Sequence, residues 1–530
     1  MDRSLAARID AIRDRAASLA AAIAPATQAS TTVGVERATL RLVGVQGLDR
    51  AGVPLAASIV ERAIGEDPAR LARGILLPFA AAVVLYEASP ADLALDVADG
   101  SIDLDLEAEA LADPARRGQI EEVAGDLVRA ALARVEANRT ARSELLDMLG
   151  DTARPLVGIP LRSRLVDPAR QEAALLVAGG ADLLQVEVPA SRELAERLGD
   201  PAEDDRNADP LAIARGRRTV DEVAPTGSQR ALTEVRELVD RAAAERRAYV
   251  RIAAAAQPLG GPELAVVAAF ERVDVVDADP IDEIIAGGVD PARALADHAF
   301  VRKLTSRAGG MIRVTDGPLV VGPDLARGTP SAARVRAGRA LALQAISVGL
   351  GRCVGLADAD MLLGSLPAWI LDERDATSTA LAFLMVQHGL HPDLPLAIRE
   401  PVAAGAARSR WAVLRAVTAM VGGRTALIMR EADVDSVAMV VADTRSVAET
   451  GAALADAIDR LSSSRAMRET VGQVADAAAA TLDDFAARGW DAVVGPVDVA
   501  GDWAGRLAAG TCARRADAPE VIAMGARAGS

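Results

Sequence analysis

Between residues 154 and 432, short apolar runs rich in β-branched residues recur, and nearly every one ends in a charged or polar residue. They read PLVGIPL (155–161), ADLLQVEV (181–188), YVRIAAA (249–255), RVDVVDA (272–278), GMIRVTD (310–316), CVGLADA (353–359), LPLAIRE (394–400) and TALIMRE (425–431). Helix-like sequence separates consecutive runs. Runs apolar on both faces that alternate with helices are the pattern of a parallel sheet covered on both sides. Eight such units predict a (β/α)8 TIM barrel, an α/β fold whose chemistry sits where the strands end.

Ahead of the barrel the pattern changes to helical spacing. Residues 3–22 carry an apolar stripe of that period, and 31–43, 55–64, 68–86 and 117–148 are further helical candidates. ASPADLALDVADGSIDLD (88–105) reads as a turn-rich connection between them. The expected organisation is a helical accessory domain over 1–150 and a barrel over 151–449. C-terminal helices and a Gly-rich tail follow over 450–530. The dipeptides Asp167–Pro168, Asp279–Pro280 and Asp290–Pro291 mark helix starts, an N-cap residue before a proline that fits the first turn. The segment 200–228 is long, charged and punctuated by Pro and Gly; after the second strand it reads either as a lid or as disorder. Trp490 and Trp503 near the tail are expected to pack it onto the barrel rather than to anchor a partner.

Composition adds constraints. The formal charge of −16 excludes a general affinity for nucleic-acid phosphates. No apolar run is long enough to span a bilayer, and the charge-interrupted N-terminus reads as an amphipathic helix instead of a signal peptide, so no membrane partner and a cytoplasmic location are expected. Cys353 and Cys512 are too isolated for a disulfide framework or a metal cluster. Lys303 is the sole lysine among 59 basic residues, so any Schiff base formed by this chain would have to use it. It falls inside a helix after the fourth strand, which favours a surface role. The phosphate-binding GxxxxGK[ST], strand-linked GxGxxG, HExxH and GxSxG patterns are all absent. His298, His388 and His391 do not make a metal site by spacing.

What remains is a ring of strand-end groups: Arg162, Ser163, Glu187, Gln257, Asp277, Asp279, Asp316, Asp358, Glu400 and Glu431. Any one of them can simply pair with a neighbouring arginine. Together they form an acidic mouth suited to a cationic or amine-bearing ligand.

TTVGVERATLRLVGVQGLD (31–49), followed by VPL (53–55), resembles the N-terminal motif of the large subunits of D-lysine 5,6-aminomutase and D-ornithine 4,5-aminomutase. The likeness continues through GAD (180–182), the PEL/ERVDV pattern (262–275), DxxFxR (297–302), VGL (354–356) and Glu431–Ala432. It implies the TIM-barrel subunit of a radical isomerase that uses adenosylcobalamin and pyridoxal phosphate. A small partner subunit would bring the cobalamin-binding domain and the lysine that holds the pyridoxal phosphate, in a hetero-oligomer of the α2β2 kind acting on an amino acid or amine. The lack of a DxHxxG cobalamin motif here and the near absence of lysine agree with that division.

The resemblance places candidate cofactor contacts at Thr31, Thr32, Glu36 and Arg37 of the motif, and at Glu187, Ser191, Gln257 and Asp282 around the barrel. It places candidate catalytic acids at Asp316, Asp358 and Glu431. The chain departs from the family pattern at four of these positions. Glu187 stands where the family has an arginine near the cofactor phosphate, and Asp282 where it has a tyrosine against the pyridine ring. Gln257 replaces a serine and Asp358 a histidine. An anion at Glu187 would repel a phosphate. Two further readings follow: a non-catalytic or regulatory subunit that keeps the partner surface, and a cobalamin radical isomerase without pyridoxal phosphate.

Overall fold

The computed structural model describes residues 3–28, 30–49, 53–65, 68–152, 154–162, 167–188, 225–256, 259–285, 289–314, 330–353, 360–365, 376–399, 425–453, 460, 463–490 and 512–514. Eight parallel strands close on themselves in chain order. They are β2 (Leu156–Pro160), β3 (Leu183–Val188), β4 (Arg251–Ala256), β5 (Val275–Asp277), β6 (Met311–Val314), β7 (Asp360–Ser365), β8 (Leu396–Arg399) and β9 (Thr425–Met429). Pairing of β2 with β9, Val157 opposite Ile428, completes the barrel.

Six of these strands fall within the runs that the apolar pattern predicts, and β4 overruns its own by one residue, Ala256. The sixth strand of the barrel, β7, lies outside its run. The run 353–359 was expected to be a strand, but helix character persists to Cys353 and the strand is Asp360–Ser365. Asp358, which the apolar pattern puts at the end of a strand, therefore precedes one in the chain, and lies outside the described residues.

The period of two along each strand sorts side chains between lumen and helix layer. Leu156, Leu183, Ala253, Val275, Ala397, Leu427 and Met429 fill the lumen, with Met311 packed against them. Val157, Ile159, Leu184, Val186, Ile252, Val276, Ile312 and Ile398 face outward into the main core with the helices. A Cβ at Gly158 would overlap the Met429 sulfur and crowd Leu427, so the lumen side chains would have to shift to admit one.

The helices described are α1 (Arg3–Gln28), α2 (Val33–Leu42), α3 (Leu55–Ile64), α4 (Leu76–Tyr86), α5 (Pro90–Asp99), α6 (Leu104–Ala108), α7 (Pro114–Leu149), α8 (Asp167–Ala178), α9 (Pro225–Arg246), α10 (Gly261–Phe270), α11 (Pro280–Ile285), α12 (Pro291–Arg307), α13 (Pro330–Cys353), α14 (Ala376–Leu390), α15 (Val437–Ala453) and α16 (Arg465–Arg488). Two expectations for the N-terminal region change. The turn-rich 88–105 contains α5, because Ser89 accepts from the Asp92 amide as its N-cap and Pro90 fits the first turn. The start of 31–43 is extended: Ser30–Thr32 forms β1, which pairs antiparallel with β10 (Cys512–Arg514). The segment between α1 and α2 thus meets the last described residues in one ribbon.

Accessory helices grip the barrel at the N-terminal end of its strands, where barrel helices finish with unpaired carbonyls. Arg142 of α7 donates to the carbonyls of Ala308 and Val273, both at 2.6 Å. Asn138 donates to Ala269 (3.1 Å) and Phe270 (2.8 Å) at the end of α10. Arg13 of α1 donates to Gly389 (2.5 Å) and Leu390 (3.0 Å) at the end of α14. Cationic side chains at helix C-termini satisfy these groups and complement the helix dipole. Among the described residues no single helix is long and apolar enough to cross a membrane.

Candidate functional site

The lumen changes character towards the C-terminal end of the strands. One step beyond the apolar layer, period two turns Gln185 of β3, Asp277 of β5 and Arg313 of β6 inward. Arg313 reaches across the lumen: its Nη2 donates to Gln185 Oε1 at 3.1 Å and to the Asp277 carboxylate. Gln185 Nε2 closes the triangle by donating to Asp277 Oδ2 at 3.4 Å. The Arg313 side chain is 1% exposed and that of Asp277 is 16% exposed.

This triangle is not internally satisfied. Arg313 Nε and Nη1 and Asp277 Oδ1 are buried without a protein hydrogen-bond partner. Buried polar groups normally have one, and an unmet donor or acceptor costs about 1–3 kcal/mol.

Glu187, the next inward residue of β3, is exposed. It shares one register row with the triangle: Glu187 opposite Ala255, Ala255 opposite Asp277, Asp277 opposite Arg313. Acid, methyl, acid and base therefore lie side by side on four adjacent strands. Two strand spacings separate the backbones of Glu187 and Asp277, about 10 Å, with only the Ala255 methyl between them.

Sequence reasoning named Glu187 and Asp277 but missed Gln185 and Arg313. The signal was present as spacing. Leu183–Gln185–Glu187 and Met311–Arg313 share a parity with the lumen-filling residues, and a polar residue at such a position in a strand buried on both faces has to find a partner across the lumen.

The other predicted positions distribute differently. Thr31, Thr32, Glu36 and Arg37 come together, but outside the barrel, between the accessory helices and α12, and all four are buried. Thr32 is the N-cap of α2, accepting from the Val35 amide at 3.0 Å, and its hydroxyl donates to Asp297 of α12. Thr31 donates to Glu36, whose other oxygen accepts from the Ile75 amide at 2.8 Å. Arg37 donates to Glu61 of α3 at 2.9 Å.

Glu431 follows β9 and is exposed beside Asp433, which pairs with Arg162 after β2 at 3.8 Å. Ser191, Gln257, Asp316 and Asp358 lie outside the described residues, as do Ser163, Glu400 and nearly all of 200–228. Asp282 falls in α11, its side chain likewise outside the description. Asp279 is buried; its carboxylate accepts from the Ile281 amide at 2.9 Å and from Ser347 at 3.2 Å, so it fixes the start of α11.

The histidines occupy helix surroundings. His298 on α12 is fully buried and accepts from Arg302; burial and that arginine hold its pKa well below the usual value. His391 follows α14, and burial beside Arg352 and Arg13 lowers its pKa to about 3. Trp490 meets Phe485 of α16 edge-on, ring centroids 5.0 Å apart, so this end of the tail packs on the chain itself.

Comparison with known proteins connects these features. Residues 4–195 and 222–403 match the family model described as the D-lysine 5,6-aminomutase TIM-barrel domain of alpha subunit. The lysine 5,6-aminomutase alpha subunit of Acetoanaerobium sticklandii is 25% identical over 356 residues, covering 66% of this chain and 63% of that protein. The corresponding subunit of Fusobacterium nucleatum subsp. nucleatum is 24% identical over 397 residues, covering 73% of this chain and 70% of its own length. The chain thus spans less than two thirds of the first of these relatives.

Proposed function

The chain belongs to the family of the D-lysine 5,6-aminomutase alpha-subunit TIM-barrel domain, and from that premise we propose that it is the large subunit of an adenosylcobalamin-dependent radical aminomutase. The reaction is a 1,2-amino shift on an amino acid or amine. The observation that carries this reading is the family match itself, which takes in the N-terminal arm and seven of the eight barrel strands, β2 to β8. Two aminomutase alpha subunits among the relatives support it.

Division of labour follows from the side chains. Among the described histidines, His298 and His391 are buried away from the mouth, and His388 sits in the last turn of α14. A protein ligand for cobalt would therefore come from a second, smaller cobalamin-binding subunit, giving a hetero-oligomer. Lys303 lies on α12 in the outer helix layer, so an imine-forming lysine would also come from that partner. When bound, adenosylcobalamin supplies the carbon-centred radical that begins such a shift.

This chain's part is to hold and shield the migrating amine. Asp277 and Glu187 present carboxylates towards the lumen, and Gln185 and Arg313 keep Asp277 in place. The apolar plug below them closes the barrel floor to water.

The described residues do not fit a pyridoxal phosphate group. Glu187 puts a negative charge at the mouth, and the arginine of that row is already committed in part to Asp277. No step is derived through that cofactor.

The test is reconstitution with the small partner and adenosylcobalamin, followed by electron paramagnetic resonance. Substrate-dependent cob(II)alamin signals are expected with at least one amino acid or amine. Silence across a broad panel of both would overturn the reading.

A further inference from the structure

We infer that the row Glu187–Ala255–Asp277–Arg313 is a seat for a small, unphosphorylated primary amine carrying net charge +1 and an oxygen acceptor. The inference rests on the proposed function only in placing a ligand at the mouth of the barrel. The chemistry of the ligand comes from the row itself.

Charge is the first part of the argument. The row holds two carboxylates and one guanidinium, a net charge of −1, and no other cation is hydrogen-bonded to either carboxylate among the described contacts. A ligand of net charge +1 neutralises it; a phosphate adds to the imbalance, which a partly desolvated site tolerates poorly.

Geometry is the second. Glu187 and Asp277 flank Ala255, whose methyl occupies little of the space between two carboxylates whose backbones are about 10 Å apart. An ammonium group has three donors to share. Asp277 Oδ1 is a buried acceptor without a protein donor, and Glu187 is exposed at the entrance.

The third part is independent of the acids. Arg313 is almost wholly buried, is aimed across the lumen, and keeps two nitrogens, Nε and Nη1, without a protein acceptor. A ligand that supplies an oxygen there satisfies donors that the fold leaves unmet. A plain alkyl amine would not. An amino alcohol does both.

The experiment is calorimetric titration of the full chain, without adenosylcobalamin, against ethanolamine, ethylamine, ethanol, inorganic phosphate and pyridoxal phosphate. Ethanolamine should bind, more tightly than ethylamine, while ethanol and phosphate should give no heat. E187Q and D277N should each weaken ethanolamine about tenfold, the cost of a charge-assisted hydrogen bond. E187Q alters an exposed side chain and keeps the fold, so it remains informative if D277N does not fold. E187R should lose the amine and gain affinity for phosphate. The inference is overturned if ethanolamine gives no heat, if phosphate or pyridoxal phosphate binds the native chain, or if E187Q binds ethanolamine unchanged. Amine binding without a cob(II)alamin signal in the reconstituted complex would remove the aminomutase reading and leave the seat standing. A signal from the complex with no amine binding to the chain would do the reverse.

Discussion

The two ends of the barrel handle buried charge in opposite ways. Before the strands begin, Asp182 and Asp274 are buried, and every one of their carboxylate oxygens has a partner. Asp182 accepts from the Val157 amide at 2.9 Å and pairs with Arg246. Asp274 accepts from the Ile252 amide at 2.8 Å and from Tyr249 at 2.9 Å, with Arg142 at 3.3 Å and Arg236 at 3.6 Å. Burial and the Asp274 carboxylate push the Tyr249 phenol up, so it stays a donor at any ordinary pH. At the other end, Arg313 and Asp277 meet but keep three polar atoms without protein partners. At the first end both acids are fully met, while Arg142 Nε and Arg236 Nη1 make ion pairs without a hydrogen bond; at the second an acid oxygen itself is left unmet, which is capacity for a cationic donor. The first end holds accessory helix to barrel, and the second is where chemistry belongs in this fold.

The contrast can be broken most strongly at Asp274. Its replacement by alanine leaves Arg142, Arg236 and Tyr249 without their common acceptor, and breaking a buried ion pair costs about 3–5 kcal/mol. Denaturant unfolding of D274A should show that loss; a change within error would mean the first end is not the structural one.

A second effect, which grows with acidity, is expected at the same end. The folded chain holds His391 neutral, with its pKa lowered from 6.5 to about 3. The unfolded chain takes up a proton below its ordinary pKa while the folded chain does not. Stability is therefore complete above about pH 6.5 and falls as pH drops towards 3, by up to about 1.4 kcal/mol per pH unit from this residue. H391Q should flatten the acid limb of a stability–pH curve, and an unchanged slope would refute the assignment.

Next comes Thr32, which joins α2 to α12. T32V removes the N-cap and the bond to Asp297, at a cost of about 1–2 kcal/mol. If Thr32 instead serves a cofactor, the variant should alter cofactor affinity more than the unfolding midpoint. The smallest effect sharpens the other side of the contrast. E187Q should shift stability by less than about 0.5 kcal/mol, as exposed positions do. A larger destabilisation would make Glu187 part of the scaffold.

The motifs most legible in the sequence turn out to hold the fold together. GAD (180–182) and RVDV (272–275) supply Asp182 and Asp274, the bridgeheads of the first end. TTVGVERA supplies the cap Thr32, which also joins α2 to Asp297 of α12, and the buried Glu36, which ties Thr31 to the Ile75 amide. These are local patterns with a local reason, so a linear reading finds them. Gln185 and Arg313 were not found because their significance lies in a contact between β3 and β6, 128 positions apart. Asp358 was misplaced because CVGLADA is as apolar as a strand, while helix packing carries α13 through Cys353.

What the chain determines by itself is the periodicity: which runs become strands, which parity faces the lumen, where N-caps start helices, and that lysine is nearly absent. Those follow from backbone geometry and side-chain polarity acting over a few residues. What only the tertiary structure decides is how polar atoms are shared. Pairing of β3, β4, β5 and β6 brings Glu187, Asp277 and Arg313 into one row, and docking of α7 packs Arg142 against carbonyls that end other elements. Whether a buried charge serves the fold or is kept for a ligand depends on neighbours distant in sequence, and strand pairing and helix docking supply them.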